Sequence, residues 1–437
     1  MSDKRKDFKD EIKETFNGVF SGGLAYAPFF SAIKKGNLEA VEKMLERGLD
    51  PNCYSFGKAA LHVAVETSTP AVVEMLLRNG ANIEIPMKAA NKNTPLDQAI
   101  VTKKPEMIKL LIRYGAQSDQ VKNNGWSSMH QAAVMGHSDV IFAMLQADAK
   151  PDALTTDGRT PLYLAIEREQ LDVVKVFTQA KSINQVIHRQ FVSDGLGYTP
   201  LYLAATKGNV AIIQALVDAG ADIEGRITTG WTPLAAAILE GHETAVDYLV
   251  QSGANIDKAL CGQWKNTPLH VAASAKQPSK NICEILLRSG ANPNKQNKEG
   301  YTPIMLAAQR GRNDVIKTFI RYGATPNVYD ATGKTPLLHA IEAENIETVK
   351  LLLSVGGRHD LKNMKTGEYP LHTAIRLGDL STVQALVQSG ASLKSCNESG
   401  QDALTCAKYY QNRSIQDVLK KADQPTKTTG IDKSFKL

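Results

Sequence analysis

The sequence predicts an all-α protein, a solenoid of about twelve stacked helix-turn-helix repeats joined by short hairpin loops. Two observations predict this fold. A motif of Thr, Pro and an apolar run recurs along the 437 residues, in steps of 33 to 39 residues. A second apolar segment with helical periodicity follows each copy. Because neither helix is long enough to be stable alone, the units must stack.

The first helix of each unit starts at the recurring motif. Its clearest copies are NTPLDQA at 93–99, GRTPLYLA at 158–165, GYTPLYLA at 197–204, GWTPLAAA at 230–237, NTPLHVA at 266–272, GYTPIMLA at 300–307 and GKTPLLHA at 333–340. Weaker copies lie at 59–64, 127–132, 369–374 and 402–407. The Thr hydroxyl can cap an orphan backbone N–H, and Pro suits the first helical position, so the motif predicts a helix start.

The second helix ends at a glycine. Segments such as AVVEMLLRNGA at 71–81 carry apolar residues at i and i+3 or i+4, and the glycine that follows predicts a left-handed C-cap. The repeats that have it contribute Gly80, Gly115, Gly220, Gly253, Gly290, Gly323, Gly356 and Gly390. Asp148 and Ala180 replace the glycine in two consecutive repeats.

The motif, in register over roughly 370 residues, resembles the ankyrin repeat with its T-P-L-H-x-A signature. The resemblance implies paired antiparallel helices and protruding hairpin loops, stacked into a curved solenoid whose concave face binds partners. It also implies that the histidines at the fourth motif position tie neighbouring loops together and do not catalyse a reaction. These are His62, His130, His270 and His372.

The uncharged residues 17–33 predict part of the fold, because Pro28 and Phe29 occupy the Pro-Leu position one period before Leu61. They therefore start an additional N-terminal repeat. A signal peptide is disfavoured because acidic residues interrupt the preceding lysines and Pro28 follows the small-x-small site. A membrane helix is disfavoured because the segment is short and contains glycines.

Five segments are predicted from these patterns. They are an N-terminal capping helix or extension at 1–26, repeats 1–5 at 27–181, an inserted loop at 182–197, repeats 6–12 at 198–422 and a disordered tail at 423–437. The alternative for segment 1–26 is a helix that docks onto a partner or lies on a membrane surface. The inserted loop is either a longer finger that has no role, or a loop near residue 190 that bends the solenoid or binds a partner.

Composition favours an intracellular protein. The net charge of +6 comes from 51 basic and 45 acidic residues of scattered sign, which does not call for nucleic acid or an anionic membrane. The five cysteines form no CxxC pair and no zinc-binding spacing, which is typical of a reducing compartment. We expect a cytoplasmic monomer without integral membrane association.

Catalytic motifs are absent from the sequence: it contains no GxSxG, HExxH, P-loop or GxGxxG context. The repeats leave no segment long enough for a separate catalytic domain. We therefore expect no enzyme activity, no cofactor and no metal. The remaining enzyme hypothesis is a site in the inserted loop, with His188 as its test residue.

Aromatic residues are enriched at the positions that would line the concave face. Five such positions in each of eleven repeats give 55 residues, of which eight are aromatic. This is about 15%, compared with 6% aromatic residues in the whole chain. The same positions hold nine basic and eight acidic residues, which indicates a protein partner and not nucleic acid. The alternative is that an aromatic residue before the Thr only packs against the next finger. The predicted protein-binding residues are Trp126, Arg159, Arg168, Tyr198, Trp231, Trp264, Tyr301 and Arg310.

The sequence thus predicts a non-enzymatic scaffold or adaptor that binds a protein partner, of unspecified identity, on a concave face. The alternative function is an effector that a pathogen delivers into the host cytoplasm, where it masks a host protein.

Overall fold

The computed structural model describes residues 26–88, 92–119, 125–179, 197–260, 264–276 and 279–424. The predicted N-terminal extension and the inserted loop, with His188, lie outside the described residues, apart from Tyr26 and Gly197. The predicted tail lies outside them from residue 425 onward. The predicted boundaries between these segments and the repeats stay predictions.

The described residues form twelve pairs of helices, one pair per repeat, which confirms the predicted fold. The first helices are α1 (Ala27–Lys34), α3 (Ala60–Thr67), α5 (Pro95–Val101), α7 (Ser128–Val134), α9 (Pro161–Glu167), α11 (Pro200–Lys207), α13 (Pro233–Glu240), α15 (Pro268–Ser274), α17 (Pro303–Gln309), α19 (Pro336–Glu342), α21 (Pro370–Leu377) and α23 (Ala403–Tyr409). The second helices are α2 (Leu38–Glu46), α4 (Pro70–Arg78), α6 (Pro105–Arg113), α8 (Ser138–Gln146), α10 (Leu171–Gln179), α12 (Val210–Asp218), α14 (Glu243–Gln251), α16 (Lys280–Arg288), α18 (Asn313–Arg321), α20 (Ile346–Ser354), α22 (Leu380–Gln388) and α24 (Arg413–Asp423). None of these helices is long and apolar enough to cross a membrane.

The loop before the first helix is a hairpin in repeat 2, and we call the corresponding residues of every repeat its finger. In repeat 2 the finger includes the antiparallel strands β1 (Tyr54–Ser55) and β2 (Lys58–Ala59), with Ser55 paired to Lys58. The two residues between the strands, Phe56 and Gly57, have φ of 48° and 79°. A two-residue loop with positive φ at both positions is a type I′ turn, which matches the twist of the flanking strands.

The chain divides into two compact units, residues 1–204 with 209–228 and residues 205–208 with 229–437. Within the first unit, the first helices of adjacent repeats contact one another from α1 to α9, and the second helices do so from α2 to α12. Within the second unit, the same contacts run from α13 to α23 and from α14 to α24. Each repeat thus buries its apolar residues against its neighbours, as a solenoid requires.

The helix starts and ends follow the predicted local chemistry. Thr160 Oγ1 accepts a hydrogen bond from Tyr163 N at 3.1 Å, with Pro161 in the first turn of α9. At the end of α14, Gly253 has φ of 95°, and Ala254 N donates to Leu249 O at 3.0 Å. This six-residue hydrogen-bonded turn is the glycine C-cap that the sequence predicts.

Asp148 adopts the backbone conformation of the glycine that it replaces. Its φ is 61°, and Ala149 N donates to Met144 O at 3.0 Å, as in the glycine-capped repeats. Aspartate tolerates this left-handed region better than most side chains, so the turn is retained without glycine.

The core lies between the helix layers of successive repeats. The apolar residue after the motif proline is almost completely buried in each repeat from Leu61 to Leu371. Phe29 is buried to the same degree, which confirms that Pro28 and Phe29 start an N-terminal repeat. Leu404 in the last repeat is only half-buried.

Candidate functional site

Three positions in each repeat form the surface that we call the finger–helix face of a unit. The first is the finger residue just before the helix cap. The second lies eight residues later, at the end of the same first helix, and the third is the residue that follows it. In the first unit this face comprises Lys58, Asn93, Trp126, Arg159 and Tyr198 in the fingers and Lys34, Lys35, Glu66, Thr67, Val101, Thr102, Val134, Met135, Glu167 and Arg168 at the helix ends. In the second unit it comprises Trp231, Asn266, Tyr301, Lys334, Glu368 and Gln401 in the fingers and Thr206, Lys207, Leu239, Glu240, Ser274, Ala275, Gln309, Arg310, Glu342, Ala343, Arg376, Leu377, Tyr409 and Tyr410 at the helix ends.

Charged residues at the two positions pair with one another inside a repeat. Lys58 Nζ lies 2.5 Å from Glu66 Oε2, and Lys334 Nζ lies 2.6 Å from Glu342 Oε2. In repeat 11 the order is reversed, and Arg376 Nε lies 3.3 Å from Glu368 Oε2. Partly exposed pairs of this kind add little stability. Their main effect is to fix the finger against its helix and to neutralise these charges locally.

Arg159, a predicted binding residue, belongs to the same set of pairs. Its Nη1 lies 3.2 Å from Glu167 Oε2, and its Nε lies 2.8 Å from Asp157 Oδ2. The guanidinium carbon lies 5.7 Å from the centre of the Tyr163 ring. The two carboxylates and the ring hold the guanidinium in one place. Sequence reasoning missed the partners because an eight-residue separation from a finger to a helix end follows no helical or strand period.

Trp126 and Trp231 occupy finger positions whose helix-end partners are apolar. Both tryptophans are half-buried, and their partner positions hold Val134 and Leu239. Leu239 is 37% exposed. The apolar pairs thus stand where other repeats have ion pairs.

Trp264 differs from the other two tryptophans. It lies two residues before the finger position of its repeat, and it is 49% exposed. Lys298 N donates to its carbonyl oxygen at 2.9 Å, which anchors its backbone to the next finger. The next residue, Lys265, has φ of 53°. A fixed backbone with an exposed indole is an arrangement that suits a contact residue.

The predicted tyrosines are engaged with their own repeats or neighbours. The Tyr198 ring centre lies 5.5 Å from that of Tyr202, and the Tyr301 ring centre lies 5.0 Å from that of His339. The predicted arginines Arg168 and Arg310 are exposed at the C-caps of α9 and α17. Of the eight predicted residues, Trp264, Arg168 and Arg310 are thus the most accessible.

The motif histidines hold the fingers in place, as the resemblance implies. His62, His130, His270 and His372 place Nε2 2.8 to 2.9 Å from the carbonyl oxygen of the finger residue in the following repeat. At His270 the other ring nitrogen accepts from Thr267 N at 3.2 Å, so Nε2 carries the proton and donates to Tyr301 O. Burial lowers the pKa of His270 to about 4, and it lowers the pKa of the other three as well. These imidazoles are therefore neutral structural links at physiological pH.

A buried pair in repeat 10 was not found by sequence reasoning. His339 Nε2 lies 2.8 Å from Asp330 Oδ2, and both side chains are almost fully buried. Asp330 Oδ1 accepts from Thr332 N at 2.8 Å and from Lys334 N at 3.0 Å. Burial alone would raise the pKa of Asp330, but the hydrogen bonds outweigh it and hold the pKa at about 2. The carboxylate therefore organises the finger that carries Lys334.

Two of the buried cysteines in the described part of the chain are unreactive, and its side chains form no metal-binding group. Burial raises the pKa of the Cys53 and Cys283 thiols to about 12, so neither is a nucleophile at neutral pH. In the residues that the structure covers, no three His, Cys, Asp or Glu side chains are grouped to hold a metal ion.

Family models for ankyrin repeats match most of the chain. A model described as ankyrin repeats in three copies matches residues 20–87, 84–155, 130–227, 181–260, 224–297 and 269–363. A model of the single ankyrin repeat matches residues 366–398.

Relatives with quite different names share this similarity. The human transient receptor potential cation channel subfamily A member 1 is 26% identical over 45% of this chain and 15% of the channel. The Arabidopsis thaliana E3 ubiquitin-protein ligase KEG is 27% identical over 59% of this chain and 16% of the ligase. The mouse ankyrin repeat and SOCS box protein 16 is 30% identical over 50% of this chain and 48% of that protein. The chain thus spans less than half the length of each of these relatives.

A solved structure of the human ASB11 ankyrin repeat domain is also similar, with a TM-score of 0.45 and 25% identity over 52% of this chain and 99% of that domain. The helix pairs, the hairpin fingers, the histidine links between repeats and the matched family models lead to one conclusion: the chain belongs to the ankyrin repeat family.

Proposed function

We propose that the chain is a non-enzymatic scaffold or adaptor that binds a protein partner through its finger–helix faces. Ankyrin repeats are typically interaction modules, and the proposal assigns the contact surface within them. The observation that carries it is a set of exposed apolar side chains among charges, several of which already pair with one another. Met135 and Val101 in the first unit, Leu239 in the second, and Trp264 just before the finger position at Asn266 are 37% to 49% exposed.

This combination supports binding for a physical reason. Covering exposed apolar side chains with a partner lowers the free energy of the complex. Internally paired charges around them do not have to be stripped of water as isolated ions, so they can remain as a polar rim. The hydrogen bonds from the motif histidines fix the finger backbones beforehand, which reduces the entropy lost on binding.

The proposal covers the cellular setting as well. We propose a monomer that acts in the cytoplasm, or in the host cytoplasm if a pathogen delivers it. The free thiols Cys53, Cys283, Cys396 and Cys406 support a reducing compartment. Light scattering of the purified chain measures the oligomeric state, and a dimer at micromolar concentration would contradict the monomer.

The test is a quantitative pull-down from cytosolic extract with the intact chain and a Met135→Ser/Leu239→Ser/Trp264→Ala variant. These side chains are exposed, so we expect the thermal melt of the variant to match that of the intact chain. Replacing Trp126 or Trp231 is less informative, because both are half-buried and their loss affects packing. The matched control is Phe142→Ser, which removes a 52% exposed aromatic side chain from the second helix α8.

We expect a protein that the intact chain and the Phe142→Ser control retain and the triple variant loses. Equal retention by all three would place the binding surface elsewhere and refute the assignment. The identity of the retained protein separates the two functions, because an adaptor retains a protein of its own cell and an effector retains a host protein.

A further inference from the structure

The finger–helix face of the first unit has an apolar cluster at its centre. Val101 at the end of α5 and Met135 just after α7 are 41% and 44% exposed, and these two helices are in contact. Trp126 and Val134 in the same repeat as Met135 are half-buried. The cluster therefore combines two accessible aliphatic side chains with a more fixed aromatic one.

Carboxylates around this cluster are already engaged. Glu66 pairs with Lys58 at 2.5 Å, and Glu167 pairs with Arg159 at 3.2 Å. Glu169, in the turn after α9, accepts from Asn209 Nδ2 at 3.1 Å, and this amide does not neutralise its charge. Asp97, in the same helix as Val101, is buried and accepts from Ser128 Oγ at 2.9 Å. Asp157 lies 2.8 Å from Arg159 Nε. Glu106 and Asp139 belong to the first turns of second helices.

Several basic side chains on the same rim form no ion pair within the described residues. Lys34 and Lys35 at the end of α1, Lys103 after α5 and Arg168 after α9 are exposed, and none of them forms an ion pair within the part of the chain that the structure describes. Lys104 Nζ donates to the backbone oxygen of Glu66 at 2.6 Å, and a backbone oxygen does not neutralise its charge. These five basic residues outnumber the charge of Glu169 and the second carboxylate beside Arg159, so the rim of the apolar cluster is positive on balance.

We propose that the finger–helix face of the first unit binds a protein segment in which an apolar anchor is flanked by acidic residues. This inference rests on the proposed function and names the class of its partner. The apolar anchor supplies most of the affinity, and the flanking carboxylates supply orientation and a faster association. A nucleic acid fits less well, because the apolar cluster occupies the centre of the face and Lys58 and Arg159 are neutralised by their own repeats.

The experiment selects a phage-displayed library of random dodecapeptides on the immobilised full-length chain. The enriched peptides are then measured by fluorescence polarisation against the intact chain and two variants. Val101→Ser/Met135→Ser removes the apolar cluster, and Lys103→Glu/Arg168→Glu reverses the rim charge. Glutamate suits position 103, because Glu169 and Glu344 occupy the equivalent turn position with φ of 55°.

Matched controls carry the same changes on second helices. Phe142→Ser removes an exposed apolar side chain from α8, and Arg113→Glu/Lys175→Glu reverses two exposed charges on α6 and α10. Unchanged melting curves establish that all four variants are folded.

We expect enriched peptides with an excess of Asp and Glu around an apolar residue. Their affinity should fall about tenfold or more in each face variant, and by less than about twofold in the controls, because only the face variants lose contacts. Raising the salt concentration should weaken binding to the intact chain, since exposed charge pairs are screened.

Each other outcome contradicts the inference. Enriched peptides that are neutral or basic, but whose binding still depends on Val101 and Met135, would refute the acidic partner and leave protein binding on this face intact. Acidic peptides that still bind after removal of the apolar cluster would indicate that the basic rim attracts any negatively charged molecule, including a nucleic acid. This outcome would refute the apolar anchor. No enrichment that depends on this face would refute both the inference and the proposed function for the first unit.

Discussion

Phe56 shows how far a single residue departs from what its position favours. Its side chain is 95% exposed at the tip of the repeat 2 finger, and its φ is 48°. A bulky residue in the left-handed region is strained, and an exposed ring gains nothing from burial. Asn followed by Gly is the pair that a type I′ turn favours, and Gly57 already holds the second position.

We therefore predict that Phe56→Asn raises the free energy of unfolding by about 0.5 to 1 kcal/mol, because it relieves the strained backbone. Urea denaturation of the full chain measures the change. Leu154→Asn is the control, since Leu154 is an exposed finger residue that is not among the residues with positive φ. A variant no more stable than the parent would show that the turn stores no such strain.

At the scale of one element, the finger is held from two sides. In repeat 5 the carbonyl of Arg159 accepts from His130 of the preceding repeat, and its side chain pairs with Glu167 of its own helix. In repeat 10 the finger has a third support, the buried pair of Asp330 and His339. The side chains that a partner would contact are thus positioned before binding.

The two kinds of pair in the repeat 10 finger should differ in strength. We predict that Asp330→Asn lowers the free energy of unfolding by about 2 to 4 kcal/mol, because it breaks a buried and fully hydrogen-bonded charge. Lys334→Met, which removes the partly exposed pair with Glu342, should change it by less than about 1 kcal/mol. Chemical denaturation of both variants provides the comparison. Equal effects would mean that the buried pair does not organise the finger.

At the scale of the whole molecule, the motif histidines couple stability to pH. Burial lowers the pKa of His62, His130, His270 and His372, while the unfolded chain titrates near pH 6.5. Below that pH the unfolded state binds more protons. The stability that these residues contribute is therefore complete above about pH 6.5 and is lost as the pH falls towards 4.

We predict that the denaturant concentration at the unfolding midpoint of the intact chain decreases as the pH is lowered from about 7 to about 4.5. The decrease should be smaller in His270→Gln. The glutamine amide can still donate to the Tyr301 carbonyl but does not take up a proton. Asp330 contributes little to this loss, because an aspartate in the unfolded chain takes up its proton mainly near pH 3.9, below the measured range, while its pKa in the folded chain is about 2. Parallel pH profiles for the two proteins would contradict a neutral His270 in the folded state.

Much of the fold could be predicted because its signals are local. A Thr-Pro pair starts a helix through the cap at Thr160, and a glycine ends one through the positive φ at Gly253, whatever the rest of the chain does. The period of these signals then indicates stacked repeats, and it also placed the N-terminal repeat at Phe29.

By itself, then, the sequence determined the repeat architecture and the helix starts, and its resemblance to the ankyrin repeat implied the linking role of the motif histidines. Only the tertiary structure decided which charges pair and which apolar side chains are exposed. The pairs of Lys58 with Glu66 and of Asp330 with His339 form because a finger folds back over its own helix, and no sequence period encodes that geometry. The structure also shows that Trp264 is exposed while Trp126 is half-buried, although both were predicted as binding residues.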